Sequence, residues 1–230
     1  MHLFFRRLFQ TLKDFLFPPV CSACNSLLPY PLKYVCPACE INFVASYTAH
    51  GVVIPKMQYL KENYNLQEAF ALYPFSKDGS IEKMLYALKY REQKSVGVFF
   101  GKKLAAYLAE NLPPFDGLIG VPLHSHRKNL RGYNQVDIIG QTVEELLSIP
   151  YYPSVLRRVV STPPLSQTTC DRRIVLANAF AGCFGALPPG GHFLLMDDIF
   201  TTGATLEACL NVLSSSSHYR FSIATIAYRI

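Results

Sequence analysis

Asp197 and Asp198 stand side by side inside FLLMDDIFTTGAT, residues 193–205. Two adjacent carboxylates can accept hydrogen bonds from vicinal hydroxyls, or share a Mg²⁺ with an oxygen-rich substrate. The run that follows, Thr201, Thr202, Gly203, Ala204 and Thr205, suits an anion. Small residues let backbone N–H groups close on a phosphate, hydroxyls add hydrogen bonds, and Gly203 allows close approach at the start of a helix. An acidic turn between an ordinary strand and helix would use the same residue types. The conjunction of acid pair and small-residue turn behind an apolar strand favours a cradle for a phosphorylated sugar.

A second set of groups is basic. The loop 122–134 carries His124, His126, Arg127, Lys128, Arg131, Gly132 and Asn134. A pyrophosphate needs such a loop: Arg131 supplies a planar fork of donors, Gly132 lets backbone come close, and Asn134 can cap the next helix. A solvated basic loop is the alternative, and either histidine reads as a surface residue before it reads as a base.

The third set is sulfur. Cys21, Cys24, Cys36 and Cys39 form C-x2-C-x11-C-x2-C, the spacing of two tight knuckles closing on one tetrahedral metal, with zinc favoured. Four protein ligands leave no open position, so the metal would be structural. Two disulfides are the competing reading and would need an oxidising compartment. Arg6, Arg7, Lys13 and Asp14 interrupt any signal-peptide core, so the expectation is a reduced cytoplasm. Cys170, Cys183 and Cys209 are scattered and read as apolar fillers.

The elements that must position these groups follow from periodicity. Residues 3–16 give an amphipathic helix, expected to pack on the main body, with membrane-surface attachment as the lesser alternative. Pro18 and Pro19 end it, and the cysteine module follows over 18–45. Residues 41–67 carry little pattern. Beyond them come a strand at 68–76, a helix capped by Asp78 or Ser80, a helix over 96–111 and a strand at 117–121. A helix over 134–148 and a strand at 155–160 follow, then an irregular loop over 161–175. A strand at 193–196, a helix over 204–216 and a last strand at 220–228 complete the series. Alternation of this kind argues an α/β fold, a mostly parallel sheet with helices on both faces, whose ligands bind at the carboxyl ends of the strands. The main domain spans 46–230, including an ill-defined region near 46–77. Half of the 230 residues are hydrophobic, which allows one good-sized core, and no apolar stretch is long enough to span a membrane. A formal charge of +6 is compatible with a polyanionic partner without demanding one.

DDIFTTGAT closely resembles the 5-phosphoribosyl-1-pyrophosphate (PRPP) signature of type I phosphoribosyltransferases. The resemblance implies that Asp197 and Asp198 contact the ribose hydroxyls and that Thr201 to Thr205 wrap the 5′-phosphate. Phe200 stands where that signature has a smaller aliphatic residue. VPLHSHRKNLRGYNQ resembles the VPL…RGYNQ pattern of the ComF family, competence-associated phosphoribosyltransferase-like proteins that carry a four-cysteine module. Together the three motifs imply a type I phosphoribosyltransferase fold with a zinc module and a role in handling incoming single-stranded DNA. The family's long loop has an Arg, then Thr-x-x-Gln, then a second Arg. Here Arg157, Arg158, Arg172 and Arg173 match, but Thr162 is followed three positions later by Leu165, and the glutamine is Gln167. The altered spacing bears on loop closure and so on turnover.

Two readings follow. One is an enzyme that transfers 5-phosphoribosyl from Mg²⁺-bound PRPP to an acceptor, with a nucleobase as a candidate. Arg127, Arg131 and Gly132 would hold the pyrophosphate, and Arg158 and Arg172 would belong to the closing loop. The other is a non-catalytic PRPP sensor or single-stranded-DNA-binding accessory that works with other DNA-uptake proteins. Against the second, the chain has no Trp, and its aromatics are not obviously interleaved with basic residues along the sequence.

Overall fold

Phe193 to Met196 is an uninterrupted apolar run, as a strand covered on both faces requires. All four residues are fully buried or nearly so. The computed structural model describes residues 18–46, 54–123, 131–160, 176, 178–215 and 218–230. The expected helix at 3–16, Arg127, Arg172 and the loop over 161–175 lie outside the described residues.

In chain order the elements are α1 (Pro37–Ser46), α2 (Pro55–Asn63), β1 (Ala69–Phe75), α3 (Ser80–Tyr90), α4 (Lys94–Asn111) and β2 (Gly117–Gly120). Then come α5 (Gln135–Leu147), β3 (Leu156–Arg158), β4 (Phe180–Gly182), β5 (His192–Phe200), α6 (Ala204–Leu213) and β6 (Arg220–Arg229). Four strands form one sheet in the order β1-β6-β5-β2, and every pairing in it is parallel. The expected α/β class is therefore found. Alternation along β5 sends Leu194 and Met196 to one face, where they meet Met84, Leu88, Phe100 and Ile139 of α3, α4 and α5. Phe193 and Leu195 go to the other, against Leu60 of α2 and Leu206, Leu210 and Leu213 of α6. Truncating a side chain such as Leu194 to Ala would cost about 2–5 kcal/mol.

Several boundaries differ from expectation, each for a local reason. β5 runs on through both aspartates to Phe200, because the ladder to β6 continues as far as Phe200 and Tyr228. The strand expected at 155–160 is only three residues long and lies outside the main sheet, in an antiparallel pair with β4. The chain first touches β2 through a parallel bridge between Leu118 and Tyr151. Pro153 then follows, with no N–H to extend that ladder. The helix after Asp78 is capped by neither Asp78 nor Ser80; Gly79 holds the cap position. Asp78 has φ 63°, and its N–H donates to the Glu82 carboxylate. The helix expected to reach 216 ends at Leu213.

The cysteine module is welded to the first face. Cys21, Leu28 and Val35 belong to the same apolar cluster as Tyr73, Phe99 and Phe100. Lys103 of α4 donates to Glu40 of α1 at 2.7 Å.

Candidate functional site

The acid pair sits where a parallel sheet leaves room for a ligand, at the carboxyl end of β5. Because strand side chains alternate, adjacent aspartates leave the strand on opposite sides. Asp198 is buried on the α3–α5 side, only 4% exposed. Its Oδ2 accepts from Lys89 Nζ at 2.9 Å and from Gln135 Nε2 at 2.7 Å. Gln135 Oε1 in turn accepts from Arg131 at 3.2 Å, and the Arg131 guanidinium lies 4.9 Å from the centre of the Tyr90 ring. Lys89 and Gln135 thus compensate a charge that would otherwise be costly to bury.

Asp197 is half-buried, and among the described residues no lysine lies within ion-pair reach of it. Its Oδ1 accepts the N–H of Asp198 at 2.8 Å. Burial and the neighbouring Asp198 carboxylate push its pKa up to about 7, against the pull of that N–H, Lys89 and Arg158. Arg158 itself lies on β3, its guanidinium 5.6 Å from the Phe180 ring centre.

Beyond Phe200 the chain turns through Thr201, Thr202 and Gly203 into α6. Gly203 holds φ +79° at the helix cap, a left-handed conformation that side chains resist. Its carbonyl accepts the Glu207 N–H at 2.8 Å, and Thr202 Oγ1 accepts the Ala204 N–H at 3.4 Å. Asp197 and residues 199–206 line one shallow recess. Beside it lies a cleft of about 290 Å³, shared by Lys56, Tyr59 and Leu60 of α2 with Thr202 and Glu207. Sequence pattern left α2 unassigned; it sets Lys56, Tyr59 and Leu60 against the turn.

The RGYNQ stretch, the described part of the basic loop, is a wiring point. Gly132 takes φ +73°. The Tyr133 hydroxyl donates to the Leu88 carbonyl. Asn134 caps α5, accepting from the Val136 N–H at 3.3 Å, and donates to the Val121 carbonyl at 3.2 Å. Sequence reasoning found the cap but gave Gln135 and Lys89 no role. Gln135 lay in plain sight within a quoted motif; nothing in the helical pattern singled out Lys89.

At the other site the four cysteine sulfurs all lie within 4.8 Å of one another. Cys24 and Cys36 are 3.8 Å apart, close to the separation of about 3.8 Å that tetrahedral zinc–sulfur bonds of 2.3 Å imply. The first knuckle is built by backbone: Ser26 O accepts the Cys21 N–H, and Cys21 O accepts the Asn25 N–H, both at 2.8 Å. Hydrogen bonds with Ser26 bring the Cys24 thiol down to about 6, while burial pushes Cys39 up. The thiolate is the metal-binding form. The described cysteines are free, and their convergence on one point fits a single metal better than two disulfides.

Fold and site together define an α/β protein with a parallel sheet, an acid pair and glycine-capped turn at a strand's carboxyl end, and a four-cysteine module. No family model matches the chain. It is similar to competence protein F of Haemophilus influenzae, 28% identical over 200 residues, covering 85% of this chain and 78% of the relative. It is also similar to DNA utilization protein YhgH of Escherichia coli O157:H7, 24% identical over 201 residues, covering 84% and 83%. The resemblance to ComF proteins thus holds over most of the chain. Among solved structures, an adenine phosphoribosyltransferase matches at a TM-score of 0.41 and 16% identity, over 63% of this chain and 74% of that one. The enzyme from Leishmania tarentolae matches at 0.41 and 10%, over 67% and 90%. Among the described residues, no helix is long and apolar enough to cross a membrane.

Proposed function

We propose that this chain binds PRPP with Mg²⁺ and transfers its 5-phosphoribosyl group to an acceptor, as part of the handling of incoming DNA. The observation that carries the reading is the glycine-capped turn at the start of α6, entered directly from a strand that ends in two carboxylates. Residues 201–205 hold the 5′-phosphate through backbone N–H groups and hydroxyls. Asp197, the less enclosed acid, takes the ribose hydroxyls. Asp198, held by Lys89 and Gln135, fixes the α3 and α5 ends around the site. Arg131 and Gly132, at the described end of the basic loop, take the pyrophosphate.

A half-buried carboxylate opening onto an anion-binding recess fits a hard divalent cation with an oxygen ligand set. Mg²⁺, when bound, neutralises the departing pyrophosphate. In the reaction the bond from C1 to the pyrophosphate oxygen breaks with its electron pair leaving on pyrophosphate, and a bond from C1 to the acceptor forms. The acceptor's proton passes to solvent. The protein contributes position and charge stabilisation rather than a dedicated base. The cleft between α2 and the turn, with Tyr59, Lys56 and Glu207, suits a planar heterocycle such as a nucleobase. The cysteine module holds structural zinc. The place in DNA uptake, and with it a cytoplasmic setting, is taken from competence protein F and YhgH.

The test is calorimetric titration of Mg²⁺-PRPP into the parent and Asp197→Asn. Asn keeps the shape and removes the charge. Affinity should fall about tenfold or more, since a charge-assisted hydrogen bond contributes about 1.5–3 kcal/mol. Parental affinity in a folded variant would sink the reading. Release of pyrophosphate with a panel of nucleobases then separates transfer from binding alone.

A further inference from the structure

β6 lies between β1 and β5, and its eight inner residues are all buried. Six of them are apolar, as a covered strand requires; Ser222 and Thr225 are not. The two hydroxyls differ. Ser222 Oγ accepts the Glu68 N–H at 3.0 Å and lies 2.8 Å from His192 Nε2. Thr225 is 1% exposed, and among the described residues its Oγ1 has no hydrogen-bond partner. Valine has the same shape and would fill this position with no oxygen to take out of water. Packing therefore accounts for the branched side chain of Thr225 but not for its hydroxyl.

The register of the sheet says what that hydroxyl stands beside. Thr225 pairs with Ala71 of β1 on one side and with Asp197 of β5 on the other. Side chains paired in this way share a face of the sheet, here the α2–α6 face that also takes Ile223 and Leu195. Ala71 offers only a methyl group. Asp197 offers a carboxylate, whose Oδ1 accepts the Asp198 N–H. Neighbouring strands lie about 4.8 Å apart, a distance that a threonine hydroxyl and an aspartate carboxylate span by rotating about χ1.

We infer that Thr225 is a positioning residue for the sugar end of the site: with ligand bound, its hydroxyl donates to the Asp197 carboxylate from β6 and holds it facing the recess where the ribose hydroxyls arrive. Thr225 is not among the residues lining that recess, which is formed by Asp197 and residues 199–206; it acts through Asp197. Its part there is the counterpart of what Lys89 and Gln135 do for Asp198. Unlike Lys89 it is neutral, so it fixes direction while leaving the carboxylate its charge for hydroxyl groups and Mg²⁺. The inference rests on the PRPP reading of the recess.

The test is calorimetric titration of Mg²⁺-PRPP into the full chain, comparing the parent with Thr225→Val, Thr225→Ser and Asp197→Asn. Valine keeps the shape and removes the oxygen, and affinity should fall about fivefold, the factor of one ordinary hydrogen bond. Serine keeps the oxygen and drops the methyl group, and should stay within about twofold of the parent. Mg²⁺-pyrophosphate carries no sugar hydroxyls, so Thr225→Val should bind it as the parent does. Without ligand, Thr225→Val should melt at or above the parent, because an unpaired buried hydroxyl has gone. Parental Mg²⁺-PRPP affinity in Thr225→Val beside a loss in Asp197→Asn overturns this inference and leaves the PRPP reading standing. Parental affinity in Asp197→Asn removes the PRPP reading, and this inference with it. Equal losses in the valine and serine variants would assign the effect to the missing methyl contacts and overturn the role of the hydroxyl. A lower melting temperature for Thr225→Val, or an equal loss for Mg²⁺-pyrophosphate, would show a hydroxyl that serves the fold rather than Asp197 and would overturn it too.

Discussion

The cysteine knuckles and the acid turn solve opposite problems with repeated residues. Four like groups, distributed over nineteen positions from Cys21 to Cys39, converge until their sulfurs lie within 4.8 Å of one another. Two like groups at adjacent positions diverge, one wired into α3 and α5, the other left at the mouth of a recess. Convergence at the knuckles comes from tight turns whose hydrogen bonds stay within the module, the longest of them tying one knuckle to the other, as from Cys36 N–H to Cys21 Sγ at 3.4 Å. Divergence at the turn comes from the pleat of a strand, and the different fates of the two acids from what distant helices bring to each side. Residue identity therefore decides chemistry at the knuckles, whereas at β5 surroundings decide it.

The sharpest way to break this contrast is at the knuckles. Cys36→Ser should lose the bound metal and loosen the module, an effect of many kcal/mol on the zinc reading, since structural zinc contributes about 10–16 kcal/mol of apparent folding energy in small peptides. Metal content by mass spectrometry of the native protein decides it. Full occupancy in the variant, or native disulfides among these four residues, would remove convergence as the explanation.

Next in size is Asp198→Ala, which leaves Lys89 and Gln135 facing a void. Breaking one side of a buried pair costs about 3–5 kcal/mol. Adding Lys89→Met should restore much of the loss in chemical denaturation, because the stranded charge goes with it. If the double variant is no more stable than the single one, Lys89 is not what keeps Asp198 in place.

The smallest effect belongs to Asp197, and its sign is opposite. Its pKa is raised toward 7, so between the ordinary carboxylate range and pH 7 the folded state holds a proton that the unfolded chain has released. Stability contributed by this group falls as pH rises through that window and stays lowered above it. Asp197→Asn cannot ionise. It should melt a few degrees above the parent at pH 8 and coincide with it near pH 4, the usual scale for about 1 kcal/mol in a domain of this size. Parallel melting curves across the range would show that the two acids do not differ as described.

What could be read in advance follows the same division. The run Phe193 to Met196, the glycine after two threonines and the cysteine spacing are local signals, and each led to the element or cluster found. The 41–67 stretch was opaque because α2 buries only Met57 and Leu60 among its nine residues, too few for a clear stripe. The strand near 155 was overread because its apolar residues serve a three-residue antiparallel pair rather than the main sheet. Lys89 closes α3 with the composition of any solvated helix end, and only the approach of β5 makes it the partner of Asp198.

One consequence concerns how this chain can be taken apart. The knuckles look like a detachable bead at the front of an independent fold. Yet Leu28 and Val35 share one apolar cluster with Phe99 and Phe100, and the Tyr34 ring centre lies 6.4 Å from that of Phe99. A fragment beginning near residue 55 would carry a bare, greasy helix flank into water, and a fragment ending near residue 46 would have nothing to seat its own leucines. Neither half is suited to life in solution alone, so proteolytic trimming or domain grafting at that seam should yield precipitate rather than two working pieces.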